Sequence, residues 1–144
     1  LSAEAGYGTQ PDVLAALLAV VGDAGSVLSY DEDRSFAALS LGRFGSVGSS
    51  QLDWSGVEVL HRSPAFDGDG LRGLLRGLSR PDELAVVFWS NLAVPSLALE
   101  VGLVARHAEA ILECCFACWV YLADSGSLIE FQDGEGFTAG RVPE

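Results

Sequence analysis

The chain has 144 residues, a length that fits one domain, and 49% of them are hydrophobic, which excludes a disordered acidic tail. Twenty acids face eight arginines and no lysine, leaving a formal net charge of -12. Nucleic acid and anionic membrane repel such a surface, so neither is expected as a partner, whereas a basic protein would be attracted and steered to it.

A helix is predicted first, from about Gln10 to Val21, with Thr9 as its cap, Pro11 in its first turn and Val13, Leu14, Leu17, Leu18 and Val21 at helical spacing. Two strands, Ser26 to Tyr30 and Phe36 to Leu41, are expected next, joined hairpin-like by the acidic turn Asp31-Glu32-Asp33-Arg34. Gly42 to Ser50 reads as a Gly/Ser loop, and Val57 to His61 as a further short strand. A second helix opens at Asp67-Gly68-Asp69-Gly70. Leu71, Leu74, Leu75 and Leu78 form its apolar stripe, Arg72, Arg76 and Arg80 lie on another face, and Pro81 ends it.

Leu84 to Ser90 is rich in valine and aromatics and reads as a central buried strand, with Ser96 to Glu100 another after Pro95. This apolar stretch is too short, and too interrupted by Ser90, Asn91 and Pro95, for a transmembrane helix. Val101, Val104, Ala108, Ile111 and Cys115 mark a third helix. Strands at Cys118 to Leu122, Leu128 to Gln132 and Phe137 to Val142 then close a three-strand meander. The expected fold is a single α+β domain over residues 1–144, an antiparallel or mixed sheet with about three helices.

Cys114, Cys115 and Cys118 are odd in number and crowded, which is no disulfide framework and suits a reducing cytoplasm. Leu1 to Tyr7 shows no basic n-region and no apolar core, while a signal ahead of Leu1 stays open; the cytoplasmic expectation rests on the cysteines. With His107 the cysteines total four zinc-type ligands, but a helix-to-strand joint rarely converges four side chains; they read as small core residues. Asp67 to Gly70 lacks the distal glutamate of a calcium loop and reads as a helix cap. The three arginines suit either a phosphate- or carboxylate-rich partner or a solvated face pairing with local acids. No Gly-x-Ser-x-Gly elbow is present, and Gly45-Ser46-Val47-Gly48 is no P-loop because no Gly-Lys-Ser/Thr follows. No cofactor, metal or catalysis is expected.

Two acidic clusters stand out, Asp31, Glu32 and Asp33, and Glu130, Asp133 and Glu135. Each is either a solvated loop or a contact for a basic partner. Trp119 and Tyr121 share a face of their strand, suited to core packing or, beside acids, to a binding hot spot.

From Val86 onward, Phe88-Trp89-Ser90-Asn91-Leu92, Val94-Pro95-Ser96, Trp119-Val120-Tyr121, Leu128-Ile129-Glu130-Phe131 and Thr138-Ala139-Gly140-Arg141-Val142-Pro143 together resemble small bacterial immunity proteins. Those proteins guard a cell against its own polymorphic or contact-dependent toxins. The resemblance implies a cytoplasmic, non-catalytic protein that blocks one cognate toxin by binding it, and it carries over no contact residues. The charge argument agrees, since toxins that attack nucleic acid are basic. The rival expectations are a small enzyme using scattered acids or His107, and an adaptor or oligomeric scaffold.

Overall fold

A computed structural model describes residues 15–47, 51–64, 67–89, 95–114, 117–132 and 136–143. The elements in chain order are α1 (Ala15–Val21), β1 (Ser26–Val27), α2 (Tyr30–Leu39), β2 (Gly45–Val47), β3 (Gln51–Asp53), β4 (Val59–Ser63), α3 (Gly68–Leu78), β5 (Leu84–Trp89), β6 (Leu97–Glu100), α4 (Val101–Arg106), α5 (Ala108–Leu112), β7 (Ala117–Leu122), β8 (Ser127–Gln132) and β9 (Gly136–Arg141). Seven strands form one antiparallel sheet in the order β1-β6-β5-β7-β8-β9-β4, while β2 and β3 make a separate hairpin. The class is α+β, and the C-terminal meander β7-β8-β9 is present.

Both faces of the sheet are covered, and strict alternation along the strands sorts the side chains. Val87 and Trp89 of β5, Val120 and Leu122 of β7, and Ile129 and Phe131 of β8 face one way, against Leu17, Leu71, Leu75, Val104 and Ile111 of the helices. Val86 and Phe88, Trp119 and Tyr121, and Leu128 face the other way, where Leu28, Ala37, Phe44 and Trp54 cover them. This second cover is made by α2, a 3-10 turn at Leu41–Arg43, the β2-β3 hairpin and the segment after it.

The expected strand Phe36 to Leu41 is instead mostly α2, and the acids Asp31, Glu32 and Asp33 form its first turn, not a turn between strands. Ser29 caps it in a capping box: its hydroxyl accepts from the Glu32 amide (3.2 Å) and its amide donates to the Glu32 carboxylate (2.9 Å). The expected Gly/Ser loop also contains structure, the 3-10 turn and β2. The strand expected from Ser26 to Tyr30 shrinks to Ser26–Val27. Of the expected first helix, Ala15–Val21 is helical, and Thr9 to Leu14 lie outside the described residues.

The expected third helix keeps its buried stripe of Val101, Val104, Ala108 and Ile111 but breaks in two at His107. With α2, this makes five α-helices among the described residues where three were expected. Cys118 is buried in the core, Cys114 donates its thiol to the Ala110 carbonyl (3.3 Å), and Cys115 lies outside the described residues.

Asp67 is the N-cap of α3, its carboxylate accepting from the Gly70 amide at 2.9 Å. Leu71, Leu74 and Leu75 are buried and Leu78 is half-buried. Arg76 is exposed, but Arg72 crosses to the neighbouring helices, donating to the Ala105 carbonyl (3.0 Å), to Glu109 and to Asp69. This bonding holds the Glu109 carboxyl down at about 2, below its ordinary 4.5, chiefly through the Arg72 hydrogen bonds.

Two outcomes follow for stability. Leu75→Ala should lower the unfolding free energy by about 2–5 kcal/mol, whereas Gly73→Ala, whose new methyl meets open space, should raise it by roughly 0.5–1 kcal/mol. Denaturant unfolding checks both; a loss under about half a kcal/mol for Leu75→Ala would mean the stripe is not core.

Because the carboxyl of Glu109 is depressed in the fold, its contribution is complete above about 4.5 and fades as pH falls toward about 2. Glu109→Gln should therefore lower stability by a constant amount above about 4.5, flatten the curve across that window and converge on the wild type at its acid end; an unchanged acid limb would refute the link. Glu109 is exposed and Arg72 half-buried, so salt should shrink the effect.

Candidate functional site

Strand register builds a polar cavity. Phe88 pairs with Trp119, Trp119 with Glu130, Glu130 with Thr138, and Thr138 with Arg62, so one row of side chains crosses β5, β7, β8, β9 and β4 on the same face. Along it the chemistry changes from apolar at the sheet centre to charged at the edge strand β4. Beside this row, Gln132 of β8 pairs with Gly136 of β9. On this face β9 presents only Gly136, Thr138 and Gly140, three small residues that leave space above the sheet.

That space is shared by the indole of Trp54 and a cavity. A methyl added at Gly140 would stand 2.6 Å from the Glu58 carbonyl oxygen and 2.9 Å from Cζ3 of Trp54. Only a residue without a side chain lets the ring settle there and lets β4 approach so closely. Phe44 packs against the same ring edge-to-face, with centroids 4.9 Å apart. The cavity beside the ring measures about 420 Å³ and is lined by Leu52, Trp54, Ser55, Arg62, Glu130, Gln132, Gly136 and Thr138.

Glu130 is only 5% exposed. Its Oε1 accepts from Trp54 Nε1 at 2.9 Å, and its Oε2 accepts from Trp119 Nε1 at 2.9 Å and from the Leu52 amide at 2.8 Å. Three N–H donors thus satisfy a carboxylate that makes no ion pair among the described residues, in place of the cation that a buried acid commonly takes.

The two acidic clusters expected as exposed contacts divide accordingly. Glu130 is buried and structural, which corrects its reading as a solvated acid. Asp33 is likewise buried, at 2% exposed, with Oδ1 accepting from the Ser96 hydroxyl (2.6 Å) and Oδ2 from Arg34 (2.7 Å). It ties α2 to the start of β6 and is not a surface contact. Asp31 and Glu32 are exposed, Glu32 being engaged in the capping box. Asp133 and Glu135 lie outside the described residues. Of the four described acids, two are exposed and two are buried.

A third buried acid, Glu83, gave no sign in the sequence pattern. It accepts from the Ser125 amide (2.6 Å) and hydroxyl (2.8 Å) and holds the β7-β8 turn. The Ser29-x-x-Glu32 spacing, by contrast, is a helix-start signature that was there to be read.

No nucleophile–base pair lines the cavity among the described residues. The Ser55 hydroxyl is donated to Asp53 (2.6 Å), and His61 lines a separate cleft with Leu74 and Gly77. No group of three or more His, Cys, Asp or Glu side chains converges as a metal site among the described residues. No helix among them is long and apolar enough to cross a membrane. Compared with known proteins, the sequence matches no family model and no curated protein.

Removing the Glu130 carboxylate strands two buried indole donors and a half-buried amide at once. Glu130→Ala should cost roughly 3–5 kcal/mol, and Trp119→Phe, which removes one donor and leaves two, about 1–3 kcal/mol. Gly140→Ala should cost on the order of 1–3 kcal/mol through overpacking against Trp54 and Glu58. Urea unfolding measures all three; near-wild-type stability for Glu130→Ala would show that the carboxylate is not the tie described above.

Proposed function

We propose that the domain is an immunity protein that binds and neutralises a basic bacterial toxin, acting by occlusion and not by chemistry. The observation that carries the reading is the net charge of -12. Much of it is uncompensated at the surface: Asp31, Glu100 and Glu113 are exposed and form no ion pair among the described residues. Four arginines are already neutralised locally, Arg34 by Asp33, Arg72 by Asp69 and Glu109, Arg80 by Asp82 and Asp124, and Arg141 by Glu58. A basic protein is the partner such a field attracts, and an acidic inhibitor can occupy the place where phosphates would sit on a nucleic-acid-degrading toxin. The resemblance of the region from Val86 onward to bacterial immunity proteins supports the same reading, with action in the cytoplasm.

Candidate contacts are the exposed pair Asp31 and Glu32, and Asp133 and Glu135 in the sequence between β8 and β9. Asp33 and Glu130 drop out as surface salt-bridge partners because they are buried.

Binding to the toxin encoded beside the domain's own gene tests the proposal, together with protection of cells that express that toxin. Association should slow as salt rises, while dissociation changes less. Paired reversal to lysine at a true contact pair should weaken binding by about tenfold or more, and the other pair should respond weakly. If neither pair responds, the acidic-face mechanism fails. If the wild type binds no toxin and turns over a small molecule, the immunity reading fails with it.

A further inference from the structure

We infer that the cavity over Glu130 is a socket for one cationic side chain, an arginine or lysine, of the partner protein. The source of that side chain rests on the immunity reading above; the chemistry of the socket does not.

A carboxylate offers about four acceptor positions, and three are filled by Trp54, Trp119 and Leu52. The carboxylate lines a cavity of about 420 Å³, and no cation reaches it among the described residues. A buried negative charge held only by N–H dipoles sets up a field that the surrounding protein does not cancel, and the cavity is where that field meets solvent. The other lining groups suit a long cationic side chain. Leu52 and the indole of Trp54 flank an alkyl stem or a guanidinium plane, and Thr138 carries an oxygen able to accept from N–H donors.

Among the described residues Arg62 is the one cation lining the cavity, and it offers the opposite choice, an anion held by a guanidinium. The burial decides between them. Arg62 is exposed, so water and salt screen it, whereas Glu130 is 5% exposed and acts through low-dielectric surroundings. Arg62 is then a competitor for the socket, and removing it should help a cation and abolish an anion.

The tryptophans provide the readout. The chain has three, and their indole N–H groups divide by face: Trp54 and Trp119 donate to Glu130, while Trp89 donates to the Ile111 carbonyl (2.9 Å) across the sheet. Methylguanidinium titrated into the intact protein should shift the Trp54 and Trp119 indole resonances saturably in the millimolar range and leave Trp89 still. Thr138→Leu fills the cavity without removing any of the three donors to Glu130, so it should abolish the shifts, with the unmoved Trp89 resonance certifying the fold. Arg62→Ala should retain or tighten binding. The inference is overturned if methylguanidinium moves neither resonance, or if acetate moves them and Arg62→Ala abolishes that response.

The toxin provides the second arm. Thr138→Leu should weaken toxin binding by about tenfold or more, as loss of a buried anchor does. Equal affinity of wild type and Thr138→Leu for the toxin would overturn the socket's role in the complex while leaving the immunity reading intact. Saturable methylguanidinium shifts in a protein that binds no toxin would overturn the toxin as source, and the immunity reading with it, while the socket chemistry stood.

Discussion

The structure turns on one carboxylate. Glu130 accepts from two indoles and one backbone amide that come from two distant parts of the chain: β7, and β3 with the residue that follows it. Without that common acceptor, the β2-β3 hairpin is a two-stranded ribbon with little to hold it, because isolated hairpins are marginal in water. With it, the hairpin and Trp54 are fixed over the second face of the sheet, and Phe44, Leu28 and Ala37 complete the cover. The polar tie also sets register. A slip of one residue in β8 would turn Glu130 to the helix-covered face and leave both indole N–H groups without their acceptor.

Covering both faces of an antiparallel sheet also explains which elements were legible in the sequence. Strands β5, β7 and β8 carry long apolar runs because both of their faces are buried, and their existence and boundaries could be read within a residue or two. The α3 stripe was equally clear, because Leu71, Leu74 and Leu75 repeat at helical spacing. Helix α2 was not, and its buried side shows why. Asp33, Phe36, Ala37 and Ser40 lie at helical spacing and face inward, but two of the four are polar. Hydrophobic periodicity fails where hydrogen bonds, here Asp33 to Ser96 and Ser40 to the Phe36 carbonyl, replace apolar contact.

The candidate site was legible in composition and illegible in place. The alternation Leu128-Ile129-Glu130-Phe131 assigns Glu130 to the face of Leu128, and a half-solvated sheet would have left it in water. What buries it is the hairpin, whose Gly- and Ser-rich sequence carries almost no strand signal. Long-range pairing brings Trp54 and Leu52 to Glu130 across 76 and 78 positions of chain, and no local pattern encodes such a meeting. Gly136, Thr138 and Gly140 carried a fainter clue. Small residues at alternate positions of one strand mean that something other than their own side chains occupies that face.

Burying one acid and exposing many divides the electrostatic labour. Exposed charges act over about a Debye length, roughly 8 Å at physiological salt, so they govern how fast a charged partner arrives and are weakened by salt. A desolvated carboxylate acts over a shorter reach but is screened far less, so it bears on how long a partner stays. Glu130 is suited to the second task because it is already fixed: two indoles and an amide hold its orientation before any partner comes, and little side-chain entropy remains to be lost. The same three bonds link site and fold. Any substitution that removes the Glu130 carboxylate also loosens the hairpin over it, so variants of Thr138 and Arg62, which lie in the same cross-strand row but make none of those bonds, separate binding from stability.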